Sequence, residues 1–247
     1  MLYPPWKNHR SNHTEKAVVS WPELFAQQAA DSRHSLLQYY YGCGSVDGDT
    51  PLCRVPLLSL DVETTGLHPG RDAIISMGAV PFTLERIYSS RSRYWVVNPG
   101  RPLTPDSVII HGITHSRILN SPDLMEVLPD LLAVMAGSVM VVHCRQMERQ
   151  FLDAALRSRM GEGIVFPVID TMDMEARYLR QGMGYWLRQF FGMHPRSVRL
   201  ADSRTRYHLP FYRPHHALTD ALATAELFQA QVAWRYDPYT PVKELWL

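Results

Sequence analysis

Residues 57–66 read Leu57-Leu58-Ser59-Leu60-Asp61-Val62-Glu63-Thr64-Thr65-Gly66, a short apolar run that ends on two acids, two threonines and a glycine. If Leu57–Glu63 is extended, Asp61 and Glu63 stand two residues apart and point to the same face. Two acids at the C-terminal end of a buried strand repel each other and resist desolvation unless a cation sits between them. Ligands that offer only oxygen suit hard ions such as Mg²⁺ or Mn²⁺. Taken alone, the same pattern also describes any strand giving way to a polar loop.

Outward from this segment the pattern alternates strand and helix. Ala73–Val80 is a second apolar run, separated from the first by the turn signals Gly66 and Pro69-Gly70, and Arg93–Asn98 reads as a third strand stopped by Pro99-Gly100. Three strands joined by short turns imply an antiparallel meander. A helical stretch around Pro122–Met135 follows, then a strand at Val139–His143, a helix at Met147–Arg157 and a strand at Val168–Thr171. Helices are expected near Met172–Arg180 and Tyr185–Phe191. The last long helix carries Leu218, Ala221, Leu222, Ala225 and Phe228 at three-and-four spacing. This order predicts an α/β fold: a mixed sheet, three antiparallel strands and then parallel ones, flanked by helices.

The 55–235 stretch is thus read as one domain. Residues 1–54 form an extension with short helices at Trp21–Ala30, after Ser20 as N-cap, and at Ser35–Tyr41; residues 236–247 form a tail. The aromatic run Tyr39-Tyr40-Tyr41 predicts that the extension packs on the main domain. With 25 Lys and Arg against 24 Asp and Glu, composition says nothing of a polyanionic partner. The three cysteines match no zinc pattern and their odd number argues against a disulfide framework. No apolar stretch is long enough to span a bilayer, and the N-terminus lacks a signal-peptide core, so a soluble, cytoplasmic protein is expected.

Two further segments carry acids. His143-Cys144-Arg145-Gln146-Met147-Glu148 is a strand–turn–helix whose Glu148 falls in the first helical turn, where the helix dipole favours an acid. His215-His216-Ala217-Leu218-Thr219-Asp220-Ala221 places Asp220 one turn inside the final helix and His215 in the approach to it. Singly, each residue has an ordinary capping or surface reading. Together, in this order, the segments resemble the DEDDh exonuclease family, typified by the proofreading epsilon subunit of bacterial DNA polymerase III. Asp61 and Glu63 fall in the family's D-x-E-T-T-G motif, and His215–Ala221 matches H-x-A-L-x-D-A at every fixed position. Ile110-His111-Gly112-Ile113-Thr114 matches the segment I-H-G-I-T. The likeness runs from Pro56 to Gln231.

The resemblance implies a ribonuclease-H-like fold and a 3′→5′ exonuclease that removes nucleoside monophosphates from single-stranded 3′ ends, DNA ahead of RNA. It implies two divalent cations, Mg²⁺ or Mn²⁺, held by Asp61, Glu63 and Asp220, with Asp61 shared and Glu148 acting directly or through water. His215 would be the general base, a task imidazole suits because it titrates near neutral pH. Thr64, Thr65, Gly66 and Leu67 would hold the terminal nucleotide, and His111 and Ile113 would add base or sugar contacts; for Leu67 and Ile113, core packing is an equal reading. Residues 1–54 could engage a polymerase or another protein partner. Arg199, Arg204, Arg206 and Arg213 could steer phosphates, with scattered surface arginines an equal reading. One departure stands out. The second motif usually reads H-N-x-x-F-D, and Cys144, Met147 and Glu148 replace Asn, Phe and Asp. Asp153 lies about 140° around the helix from position 148 and cannot take its place. This departure keeps open a catalytically weak scaffold, and an exoribonuclease trimming short RNA is the other alternative.

Overall fold

A computed structural model describes residues 20–100, 113–181, 194 and 196–247. His111 and the helix expected at Tyr185–Phe191 lie outside these residues. Five strands form one sheet: β1 Leu57–Thr64, β2 Ile74–Phe82, β3 Arg93–Val96, β4 Val139–Val142 and β5 Val168–Asp170. Their order is β3-β2-β1-β4-β5, with β1–β2 and β2–β3 antiparallel and β1–β4 and β4–β5 parallel. The mixed sheet expected from the order of elements is therefore the one observed. β1 runs one residue past Glu63, because β2 pairs with it through Glu63↔Ser76 before the register shifts at Thr64. At the centre of the sheet β1 buries every residue except Asp61, which is half-buried. β4, all Val and Met, is buried throughout, as a parallel strand covered on both faces must be.

Eight helices surround this sheet among the described residues. They are α1 Trp21–Asp31, α2 Ser35–Gly42, α3 His115–Leu119, α4 Leu124–Met135, α5 Arg145–Met160, α6 Thr171–Arg180, α7 Leu200–Arg206 and α8 Ala217–Arg235. α4 starts on a capping box, Asp123 with Glu126, and α5 stops at Gly161, whose φ of 75° is the left-handed conformation glycine adopts freely. Helices α3 and α7 go beyond the sequence reading. α3 is a five-residue turn capped by Thr114, and α7 (LADSRTR) has too few apolar residues to show a helical period. α8 lies against β1 and β2.

α1 and α2 place Trp21, Phe25, Leu37, Tyr40 and Tyr41 in the same apolar cluster as the sheet. Phe25 meets Tyr40 and Tyr41 at 5.4 and 5.1 Å, and Val165 N–H donates to the Tyr41 hydroxyl. Such aromatic pairs add roughly 0.5–1.5 kcal/mol beyond the area they bury. The last residues return to this extension. Leu52 N–H donates to Thr240 O and Val242 N–H to Thr50 O, while Trp246 bridges to Ile169 along the open edge of β5. No helix among the described residues is long and apolar enough to cross a membrane.

Candidate active site

Asp61 and Glu63 stand on one face at the end of β1, and Asp220 reaches them from the first turn of α8. One carboxylate oxygen from each of the three lies within 4.8 Å of the other two. Glu63 is buried, and Asp61 and Asp220 are half-buried. Burial first, and then the charges of Glu63, Asp220 and Glu148, push the Asp61 carboxyl well above the usual range. Burial also raises Asp220, although its bond from His215 N–H (2.8 Å) and the nearby His215 imidazole pull it down. Acids gathered at this density favour a positive charge among them.

A glycine sets the height of α8 above the sheet. Gly78 pairs with Asp61 across β1 and β2, and a Cβ on it would lie 2.4 Å from the Ala217 carbonyl and from Leu218 N. Only a residue without a side chain lets the helix start rest there, and one turn later Asp220 is level with Asp61. The sequence signal was present: a glycine inside an apolar strand often marks close approach by another backbone.

Glu148 flanks the three-acid cluster. It is 2% exposed, and its Oε2 has no hydrogen-bond partner among the described residues. Burial pushes its carboxyl well above the usual range, its own backbone N–H draws it down, and Asp170 raises it further. Asp170, which sequence reasoning passed over, pins the start of α5. It accepts from Cys144 N–H (3.2 Å) and Arg145 N–H (3.0 Å) while capping α6 through Met172 N–H and Asp173 N–H. Cys144 is held there at φ 106°, where a residue with a Cβ is strained. Burial, with Glu148 and Asp170 nearby, pushes its thiol up to about 12, so it stays protonated. Asp153 faces elsewhere, bonded to Arg157 (2.8 Å) and to Ile164 N–H (3.2 Å).

His215 is exposed, in the left-handed region at φ 70°, and its N–H is held by Asp220. His143 is a structural tie instead: its ring contacts Thr171 Oγ1 (2.8 Å) and Val198 O (2.9 Å), and burial lowers its pKa to about 4. In the turn after β1, the Thr64 hydroxyl donates to Gly66 O, and Thr65 Oγ1 accepts from Ala73 N–H. Leu67 is half-buried and belongs to neither apolar cluster, whereas Ile113 packs with Ile75 and Ile118. Two of the four arginines expected to meet phosphates do not face solvent freely. Arg204 is buried on Glu226 (2.7 Å), and Arg206 is tied to the fully buried Glu175 (2.8 Å), because the inner face of α7 is polar and each acid there needs a partner. Arg199 and Arg213 are exposed.

The exonuclease (RNase_T) family profile matches residues 58–228. The DNA polymerase III subunit epsilon of Treponema pallidum is 29% identical over 180 residues, which is 73% of this chain and 78% of that protein. A DNA polymerase III subunit epsilon-like protein of Rhodobacter capsulatus is 30% identical over 188 residues, 76% of this chain, but the chain spans only 25% of its length. Among solved structures, the nuclease domain of 3′hExo, a DEDDh family member bound to rAMP, superposes with a TM-score of 0.59 at 15% identity, covering 73% of this chain and 92% of that one. Exonuclease X in complex with 5′-overhanging duplex DNA gives 0.56 at 22% identity, over 76% and 98%. These likenesses show the ribonuclease-H-like fold. With the family profile spanning more than half of its length, the chain belongs to the exonuclease (RNase_T) family.

Proposed function

We propose that this exonuclease releases nucleoside monophosphates from single-stranded 3′ ends, DNA in preference to RNA, with two divalent cations held by Asp61, Glu63 and Asp220. The carrying observation is the cluster itself: three carboxylates with oxygens within 4.8 Å, two of them held above their ordinary pKa range. The residues fit such ions. Every donor is a carboxylate oxygen, the set hard cations such as Mg²⁺ or Mn²⁺ prefer, and the unpartnered Oε2 of Glu148 offers one more beside Asp61. Once bound, the ions supply an easily ionised water and stabilise charge on the attacking and leaving oxygens.

The chain's own groups do the rest. Exposed His215, beside Asp220, accepts the attacking water's proton. Thr64, Thr65, Gly66 and Leu67, in the turn that leaves Glu63, hold the terminal nucleotide, with Leu67 free of core packing to meet the base. His111 adds a base or sugar contact, whereas the buried Ile113 serves packing with Ile75 and Ile118. Relatives named as epsilon subunits support DNA as the substrate and a polymerase as a partner, engaged through residues 1–54, where Tyr39 is left exposed. We place the protein in the cytoplasm. Matched DNA and RNA single strands labelled at the 3′ end, digested with Mg²⁺ or Mn²⁺, test the reading. Labelled mononucleotide should appear first, faster from DNA, and vanish with EDTA. Faster release from RNA would reverse the substrate assignment, and no release from either would leave a scaffold.

A further inference from the structure

We propose that Tyr94 is a positioning residue for His215, acting through a stack with His216. The inference rests on the reading of His215 as general base.

Tyr94 on β3 pairs with Gly78 on β2, and Gly78 pairs with Asp61 on β1. Residues directly opposite in antiparallel strands share a face, so these three form a row across the sheet. The chain entering α8 steps along that row. The His216 ring stacks on Tyr94, with centroids 4.6 Å apart and planes 21° from parallel. The Ala217–Leu218 backbone rests on Gly78, and Asp220 comes down beside Asp61. Each step of the chain has its own strand beneath it.

His215 stands just before the first step. It is exposed and occupies φ 70°, a conformation that costs a residue with a Cβ free energy and persists only when its surroundings enforce it. Contacts on both sides of it help to enforce it. Asp220 holds the His215 N–H, and the stack fixes the next residue, His216, which as N-cap of α8 makes no capping bond through its side chain. Arg117 of α3 lies over the Tyr94 ring at 5.8 Å from its centre and helps to hold it. If the stack is removed, the His216 ring keeps only a long contact with Thr219 Oγ1 (3.4 Å) and its carbonyl the bond from Asp220 N–H, so the residue is held less firmly, His215 relaxes toward negative φ, and its imidazole swings out of line with the cluster. The three carboxylates stay grouped, because the helix resting on Gly78 carries Asp220 even if its bond from His215 N–H is weakened.

The test is a double-mutant cycle followed with a labelled oligonucleotide and Mn²⁺. Tyr94→Leu and His216→Ala should each lower kcat about 10-fold or more, since small misplacements of a reacting group carry penalties of that order. KM, and the Mn²⁺ affinity read by calorimetry, should stay as in wild type. Tyr94→Phe and His216→Phe keep a stacking ring and should keep the rate. In a His215→Ala background, none of the four should reduce turnover further. Losses that persist in that background, a fall in Mn²⁺ affinity, or equal losses in the Phe variants would overturn the proposal. Should Tyr94→Leu fail to fold, His216→Ala carries the test alone, on an exposed side chain. Wild-type turnover by His215→Ala would remove the base itself, and that result is visible before any Tyr94 variant is made.

Discussion

The backbone of Ala217 rests directly on Gly78, with the space for a Gly78 Cβ filled by the Ala217 carbonyl and Leu218 N at 2.4 Å. Because backbone rather than a flexible side chain occupies that space, Gly78→Ala has to lift the start of α8 off the sheet. Overpacking of this kind costs typically about 1–3 kcal/mol. Asp220 would rise with the helix and leave Asp61 and Glu63 without their third partner. Gly78→Ala should therefore melt several degrees lower and lose turnover by roughly 10²-fold, the scale of a 1 Å misplacement. Thermal melting and rates with Mn²⁺ check both, and a fully active Gly78→Ala would show that the close approach is not what sets Asp220.

Glu148 brings a carboxylate to the flank of the cluster on a side chain one methylene longer than the Asp expected there. Its buried Oε2 has no hydrogen-bond partner among the described residues and its charge raises the Asp61 carboxyl, so we read it as acting beside the site. Glu148→Gln should lose most activity, because it keeps the shape and removes the charge. Glu148→Asp should keep substantial activity or exceed wild type. Asp153→Asn should hardly change the rate, since Asp153 spends its oxygens on Arg157 and Ile164. Rates with Mg²⁺ and with Mn²⁺ on one oligonucleotide decide, and an unaffected Glu148→Gln would remove this residue from the site.

Without metal, the raised carboxyls of Asp61 and Asp220 cost stability as they ionise. A carboxyl with a folded pKa above its unfolded value binds its proton more tightly when folded. Its contribution is fully present below the unfolded value, near pH ~4, and is lost as pH rises through the folded value. His143, held near 4, adds the opposite trend in acid, because the folded state resists its protonation. Comparison with variants isolates the acids. Asp61→Asn and Asp220→Asn should gain on wild type in EDTA as pH rises from about 4 toward neutrality, and melt at or above it near neutral pH. Mn²⁺ should raise wild type most, since an ion bound only by the folded state stabilises it. Asn variants that melt well below wild type in EDTA near neutral pH would make these acids structural.

Much of the site was legible because its chemistry is local in sequence. Asp61 and Glu63 share a strand face by alternation, and Asp220 and His215 are five residues apart across a helix start. The order of strands and helices likewise follows from apolar runs and turn residues. What the sequence could not show depends on distant pairs. Gly78 matters because Ala217, far along the chain, comes to rest on it. Asp170 matters because the turn at Cys144 and Arg145 folds back onto its carboxylate. Arg204 and Arg206 looked like phosphate contacts until Glu226 and Glu175 were seen to hold them. Charged residues in α7 carry no mark that separates a buried ion pair from a solvated surface.

We read His215 as a group that moves a proton rather than one that holds a cation, because it stands outside the three-acid cluster. His215→Ala should cut turnover by roughly 10²–10⁴-fold, the usual contribution of a positioned base. Mn²⁺ affinity by calorimetry should be nearly unchanged, because all the proposed ligand oxygens remain. A variant that no longer binds Mn²⁺ would make His215 a ligand, and one that keeps wild-type turnover would assign the base elsewhere.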